Sequence, residues 1–412
     1  MRTMLIALCT ALAALTPPGG AGKEIPPQSG AGKEIVMAGP APVGPYSPAV
    51  KAAGLIYVSG TMAQDASGAV VGKGDVGAQT KRVIERMREI LVAAGSSLEQ
   101  VVAVTVYLRS QSDFAAMNDA YRGIWAKDPP TRTTVVSDLV LADALVEMSM
   151  IAVPKGGERV VVHPDSWITS PNPYSYAIRT GDTVFLAGLV SRNGRDNSVV
   201  QGDVAAQTRV VLDNAGELLT AAGMTHASVV SSRIYLPDLA SFQTMNEVYR
   251  TYFPSAPPAR ATVKAGLAGP QYSVEITLVA SSSQKEVIDD GRPANPNLSA
   301  AIRAGDRLYV SGMLGNTTDN KGDAASQTRE TLLRIRRALE AGGATPADVV
   351  DSLVYLTDVS NVAAMNDVYR PFFERNFPAR TTVQSGLAAP DGLVEIMMTA
   401  VRGASGSATR EP

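Results

Sequence analysis

Between Asp75 and Ala94, the apolar residues Val83, Ile84, Met87, Ile90, Leu91 and Ala94 recur at helical spacing. That period predicts an amphipathic helix, with Asp75 as its cap and Gly95 as its stop. Upstream, Leu55-Ile56-Tyr57-Val58-Ser59-Gly60 is β-branched and aromatic and ends on glycine, which predicts a strand. Val101 to Leu108 reads as a buried strand. Phe114, Met117, Tyr121 and Trp125 mark a second helix, expected to end before Pro129-Pro130. Two closing strands follow, Thr133 to Val136 and Leu145 to Val153. The order β-β-α-β-α-β-β predicts an α+β domain in which two helices cover one face of a mixed sheet. Val and Met alternate along the strands, so the other face must be buried too, against another sheet.

This pattern is written three times. Met117-Asn118-Asp119-Ala120-Tyr121-Arg122 returns as Met245-Asn246-Glu247-Val248-Tyr249-Arg250 and as Met365-Asn366-Asp367-Val368-Tyr369-Arg370, at offsets of 128 and 120. Val106-Tyr107-Leu108 and Gln79-Thr80 return at the same two offsets. The period is far longer than a solenoid unit, so each copy is a whole domain: 33–155, 158–282 and 284–402. Gly156-Gly157 and Ser281-Ser282-Ser283 mark the joints, and 403–412 is a polar tail. The sister copies are the natural partners for each exposed sheet face.

The first residues follow a different logic. Arg2 precedes the apolar run Leu5 to Leu15, then small residues and Pro17-Pro18, with Ala11-Leu12-Ala13 as a cleavage-like site. This predicts a signal peptide and small-residue linker over 1–22, hence an exported protein; a start at Met37 would instead leave it cytoplasmic. The run is too short to span a bilayer, so no membrane contact is expected once it is processed.

Composition narrows the chemistry. The 412 residues carry 37 Lys and Arg against 39 Asp and Glu, a net charge of −2, with no basic excess to neutralise phosphates. Nucleic acid is therefore a poor first expectation for a partner. Two histidines and one cysteine leave little room for a zinc site or a Cys–His nucleophile pair.

Few polar side chains recur in all three copies, and two of them stand out. Arginine does, in Thr131-Arg132-Thr133-Thr134, Ala259-Arg260-Ala261-Thr262 and Ala379-Arg380-Thr381-Thr382, each shortly after proline. Glu147, Glu275 and Glu395 each follow their arginine by 15 residues, inside an apolar strand. A carboxylate there is costly unless it is paired or borders a cleft. One reading is a structural Arg–Glu bridge. The other is an anion-binding guanidinium beside a carboxylate that manages a water proton.

These residues carry a family resemblance. Gly44-Pro45-Tyr46-Ser47-Pro48-Ala49-Val50, the Ser59-Gly60 strand end, the Met117 to Tyr121 motif and Pro-x-Arg-x-Thr followed by glutamate resemble the RidA/YjgF family of enamine/imine deaminases. The resemblance implies three tandem chorismate-mutase-like domains packed as an intramolecular pseudo-trimer, monomeric, with clefts between copies. It implies a cofactor-free hydrolysis of reactive 2-enamine and 2-imine acids, with a small 2-imino or 2-keto carboxylate as ligand. Arg132, Arg260 and Arg380 would hold the substrate carboxylate, and Glu147, Glu275 and Glu395 would position or deprotonate the water. Tyr46 and Tyr174 would close the pocket, and Ser59 and Ser311 would hydrogen-bond within it. Asn118, Asn246 and Asn366 would border it, with Thr134, Thr262 and Thr382 beside their arginines; a helix-packing role suits the asparagines equally well.

The copies depart from the pattern unequally. Ala187 replaces the serine in copy two, and Leu298 falls where copy three should have its tyrosine. The interval from Gly312 to Gln327 is 15 positions, against 19 for Gly60 to Gln79 and Gly188 to Gln207. Two rival functions stand beside deaminase activity. One is an anion-binding or interaction protein that kept the pocket without turnover. The other is the ribonuclease activity attached to the family's name, which the charge balance disfavours.

Overall fold

The computed structural model describes residues 32–402 apart from Ala126. The signal pattern and linker of 1–22 and the tail of 403–412 lie outside the described residues. In copy one the sheet runs, edge to edge, Glu34–Val36, Ala49–Ala52, Leu55–Met62, Val146–Ala152, Val101–Leu108, Thr131–Val136. Only the last two strands are parallel to each other. Copies two and three repeat this order. Three strands precede the first helix where sequence periodicity marked two. The extra one, Glu34–Val36, is short and half polar, so it carries no alternation to betray it.

The first helix, Val76–Ala93, starts because the Asp75 carboxylate accepts from the Ala78 N–H. It stops at Gly95, whose φ of +76° is left-handed and suits glycine. Val83, Ile84, Met87 and Leu91 pack with Met117 and Tyr121 of the second helix onto Val104, Val106 and Met148 of the sheet. Each such side chain, fully buried, contributes roughly 1.5–3 kcal/mol. The second helix, Phe114–Arg122, is shorter than its apolar spacing predicts. Trp125 lies beyond the helix, its ring 4.6 Å from Tyr121 and its indole N–H donating to Leu98 O at 2.9 Å. Loop packing there imitates helical period.

The opposite sheet faces meet one another. Tyr107, Tyr235 and Tyr355, one per copy, share a buried cluster with Val135, Val263 and Val383. The sheet edges also join. Val136 of copy one exchanges two backbone hydrogen bonds with Gly266 of copy two, at 2.7 and 3.1 Å. Val263 and Lys264 of copy two pair with Leu387 and Gly386 of copy three, and Val383 and Gln384 of copy three pair with Leu139 and Asp138 of copy one. Each copy thus reaches both others, and the three edges close into a ring within one polypeptide.

Short joints keep each copy at an effective concentration of roughly millimolar for the others. Light scattering of the purified protein should therefore give the mass of one chain, 43.1 kDa for the full sequence. A mass near three chains would mean that copies pair across polypeptides.

Candidate active site

The seams that close the ring also build three clefts. Ser47 sits in the Tyr-Ser-Pro segment of copy one; its N–H and hydroxyl donate to Pro378 O at 3.0 Å and Phe377 O at 2.6 Å, just ahead of Arg380. Ser175 makes the same two bonds to Pro130 and Pro129, and Ser299 to Pro258 and Pro257. Each arginine is thereby brought against the next copy rather than its own.

The register decides which glutamate it meets. The strand from Leu55 runs on to Met62 rather than ending on Gly60 as the sequence predicts, and Gly60 passes over Glu147; a Cβ there would lie 2.0 Å from Glu147 Oε1 and 3.1 Å from Thr381 Cγ2. Gly188 stands likewise against Glu275 and Thr133, and Gly312 against Glu395 and Ala261. Arg380 of copy three thus acts on Glu147 of copy one, Arg132 on Glu275, and Arg260 on Glu395. The pairs 15 residues apart in sequence are not the pairs in space.

All six charged side chains are buried, between 2 % and 6 % exposed. Arg132 Nη1, Arg260 Nε and Nη1, and Glu147 Oε2 have no hydrogen-bond partner in the protein. All three guanidiniums rest against an aromatic ring: they lie 4.9, 4.8 and 4.9 Å from the ring centres of Tyr121, Tyr249 and Tyr369. These tyrosines recur in the helix motif, where sequence alone marks them only as core. Burial pushes Glu147, Glu275 and Glu395 up to about 8, against the pull of the facing arginines.

Those glutamates make stability fall as pH rises. Their ordinary value is 4.5, so from there to about 8 the folded chain holds protons that the unfolded chain releases. The melting temperature should therefore drop between about pH 5 and pH 8. The Glu147→Gln, Glu275→Gln, Glu395→Gln triple variant should flatten that slope in a thermal melt; an unchanged slope would mean the carboxyls titrate normally.

The clefts are furnished unequally. The one between copies three and one gathers Arg380, Asn366 and Thr382 with Tyr46, Ser59 and Glu147. The Ser59 hydroxyl donates to Ser47 O at 2.6 Å and accepts from the Arg380 N–H at 2.9 Å, so it fixes the arginine's backbone. Asn366 Oδ1 accepts from Arg380 Nη1 at 2.8 Å, and the Tyr46 ring centre is 5.6 Å from the guanidinium. Between copies two and three, Ser311 holds the Arg260 N–H in the same way at 2.8 Å, but Leu298 stands in for the tyrosine. Asn246 and Thr262 lie there with Oδ1 and Oγ1 buried and unpartnered. Between copies one and two, Arg132 lies 5.7 Å from the Tyr174 ring centre and the Thr134 N–H donates to Glu275 at 3.4 Å. There Ala187 removes the serine tether, and Asn118 donates to Asn172 at 3.1 Å. Gly60, Gly188 and Gly312 belong to the site through their lack of a side chain, a role that a glycine in a strand pattern does not announce.

The profile of the Endoribonuclease L-PSP family matches residues 37–154, 166–282 and 291–402. The chain belongs to this family. Among its L-PSP relatives, a RutC family protein of Pyrococcus abyssi is 44% identical over 113 residues, covering 27% of this chain and 89% of that protein. A protein of Acinetobacter baylyi named 3-aminoacrylate deaminase RutC is 40% identical over 113 residues, covering 27% of this chain and 90% of its own. A chorismatase crystal structure, 17% identical, covers 74% of this chain and 93% of its own with a TM-score of 0.51, a likeness of fold alone. The three matches bear out the RidA/YjgF resemblance and the three-domain α+β architecture, and the name of the Acinetobacter relative supports an enzymatic role for the L-PSP family.

Proposed function

We propose that this chain hydrolyses reactive 2-enamine and 2-imine acids to 2-keto acids and ammonia in the clefts between its copies. The arrangement of Arg380 and Glu147 carries this reading: a buried guanidinium whose charge reaches a buried carboxyl that burial pushes up to about 8. The guanidinium fork suits a substrate carboxylate. Near neutral pH Glu147 keeps its proton, so it can protonate the imine nitrogen or the enamine carbon. The resulting carboxylate then accepts a proton from water as the water oxygen bonds to the imine carbon. The reprotonated Glu147 then gives its proton to the amine nitrogen, and as the C–N bond breaks the hydroxyl proton returns to the carboxylate, releasing ammonia and leaving the keto acid. One water is consumed and no oxidation state changes.

The test is keto-acid formation from iminopyruvate generated in place by an amino-acid oxidase. A rate above buffer supports turnover. A rate equal to buffer overturns it and, if pyruvate still binds, leaves an anion-binding protein.

A further inference from the structure

The cleft between copies one and two carries polar side chains that its sisters lack. Asn172, Arg192 and Tyr272 line the same pocket, of about 80 Å³, as Arg132, Tyr174 and Glu275. The matching positions hold Gly44, Gln64 and Ala144 in copy one, and Pro296, Asn316 and Gly392 in copy three. All three changes fall on copy two and converge on one cavity.

They form a built group. The Arg192 guanidinium lies 5.4 Å from the Tyr272 ring centre and donates to Asn197 O at 2.7 Å, which fixes it without neutralising it. The Tyr272 hydroxyl is buried with no protein partner, as is Arg132 Nη1. Tyr174 sits within the influence of both guanidiniums, which oppose the upward push of burial on its hydroxyl. Glu275, pushed up to about 8, is mostly neutral near pH 7 and cancels little of their charge. In the sister cleft Gln64 is neutral and its amide N–H donates to Gly68 O, and the second guanidinium there, Arg86, reaches Tyr46 from a different position and spends its Nη1 on Met62 O and Gln64 Oε1.

We infer that this cleft takes dianionic substrates, the 2-imino dicarboxylates derived from acidic amino acids, with Arg132 on the 2-carboxylate and Arg192 with Tyr272 on the distal one. This rests on the deaminase reading for the reaction, though not for the binding. Two guanidiniums facing one cavity leave a monoanion undercompensated and match a ligand with two carboxylates. Loss of the serine tether at Ala187 accompanies this second cation rather than a bare defect.

The experiment uses the full chain carrying Arg260→Ala and Arg380→Ala, so that this cleft alone keeps its arginine. Calorimetry compares the stable probes succinate and propionate, and turnover compares the imines generated from L-aspartate and L-alanine. Succinate should bind at least 10-fold tighter than propionate, and Arg192→Gln should bring that ratio close to one. Tyr272→Phe should lower it in part, which guards against misfolding of the arginine variant. Equal affinities, no binding of either probe, or a ratio that Arg192→Gln leaves intact would overturn the inference. Succinate preference without imine turnover would remove deaminase activity from this cleft and leave the dianion site standing, while the reading at Arg380 and Glu147 is decided by keto-acid formation in the unsubstituted chain.

Discussion

Replacing Arg132, Arg260 and Arg380 by alanine together should abolish keto-acid formation while leaving the fold intact. A charged, bidentate contact to a carboxylate in a desolvated cleft is worth on the order of 2–4 kcal/mol or more, roughly 30- to 1,000-fold in rate at each site. The fold should survive because the arginines are held by aromatic rings rather than by closed ion pairs, and some of their donors have no protein acceptor to lose. Circular dichroism and a thermal melt separate the outcomes. Collapse of the variant would show that the guanidiniums are structural bridges. Among single variants, Arg380→Ala should cost most with iminopyruvate, because its cleft alone combines tyrosine, serine, arginine and glutamate.

The second large effect concerns Glu147. In a chain carrying Arg132→Ala and Arg260→Ala, further change of Glu147→Gln should lower kcat about 100- to 10,000-fold, the usual contribution of a positioned acid–base group. Before that change, kcat/KM should be level below about pH 8 and decline above it, since the protonated carboxyl starts the reaction and is lost as pH passes its value of about 8. A rate that rises through pH 8 instead would make the ionised carboxylate the working form. Glutamine keeps the shape under Gly60, so lost packing is a poor explanation for the drop.

Much of this was legible in the sequence, for identifiable reasons. The triple repeat, the two helices and the central strands follow from periodicity, because their apolar faces are continuous and their caps, Asp75 and Gly95, are explicit. The recurring arginine and glutamate are visible because both keep their type and register in all three copies and a carboxylate inside an apolar strand is costly. Their partnership is not, since it depends on edge pairing between copies, and spacing along one copy says nothing about that. Ser59 illustrates a second limit: the family resemblance implies a hydroxyl that hydrogen-bonds within the pocket, whereas its oxygen is tied to Ser47 and to the Arg380 backbone. Arg192 and Tyr272 were invisible for the opposite reason, as residues that occur in one copy only and so fall out of any search for what repeats.

The most completely furnished cleft joins Glu147 to Arg380, one from the first copy translated and the other from the last. Contacts so distant in sequence form late, after the intervening loops have been closed. A ribosome that stalls or terminates anywhere before residue 380 leaves this cleft without its anion-holding side chain, even if two domains have already folded. During synthesis the emerging chain should therefore be catalytically silent at that seam, and its activity should begin only with release of the finished polypeptide.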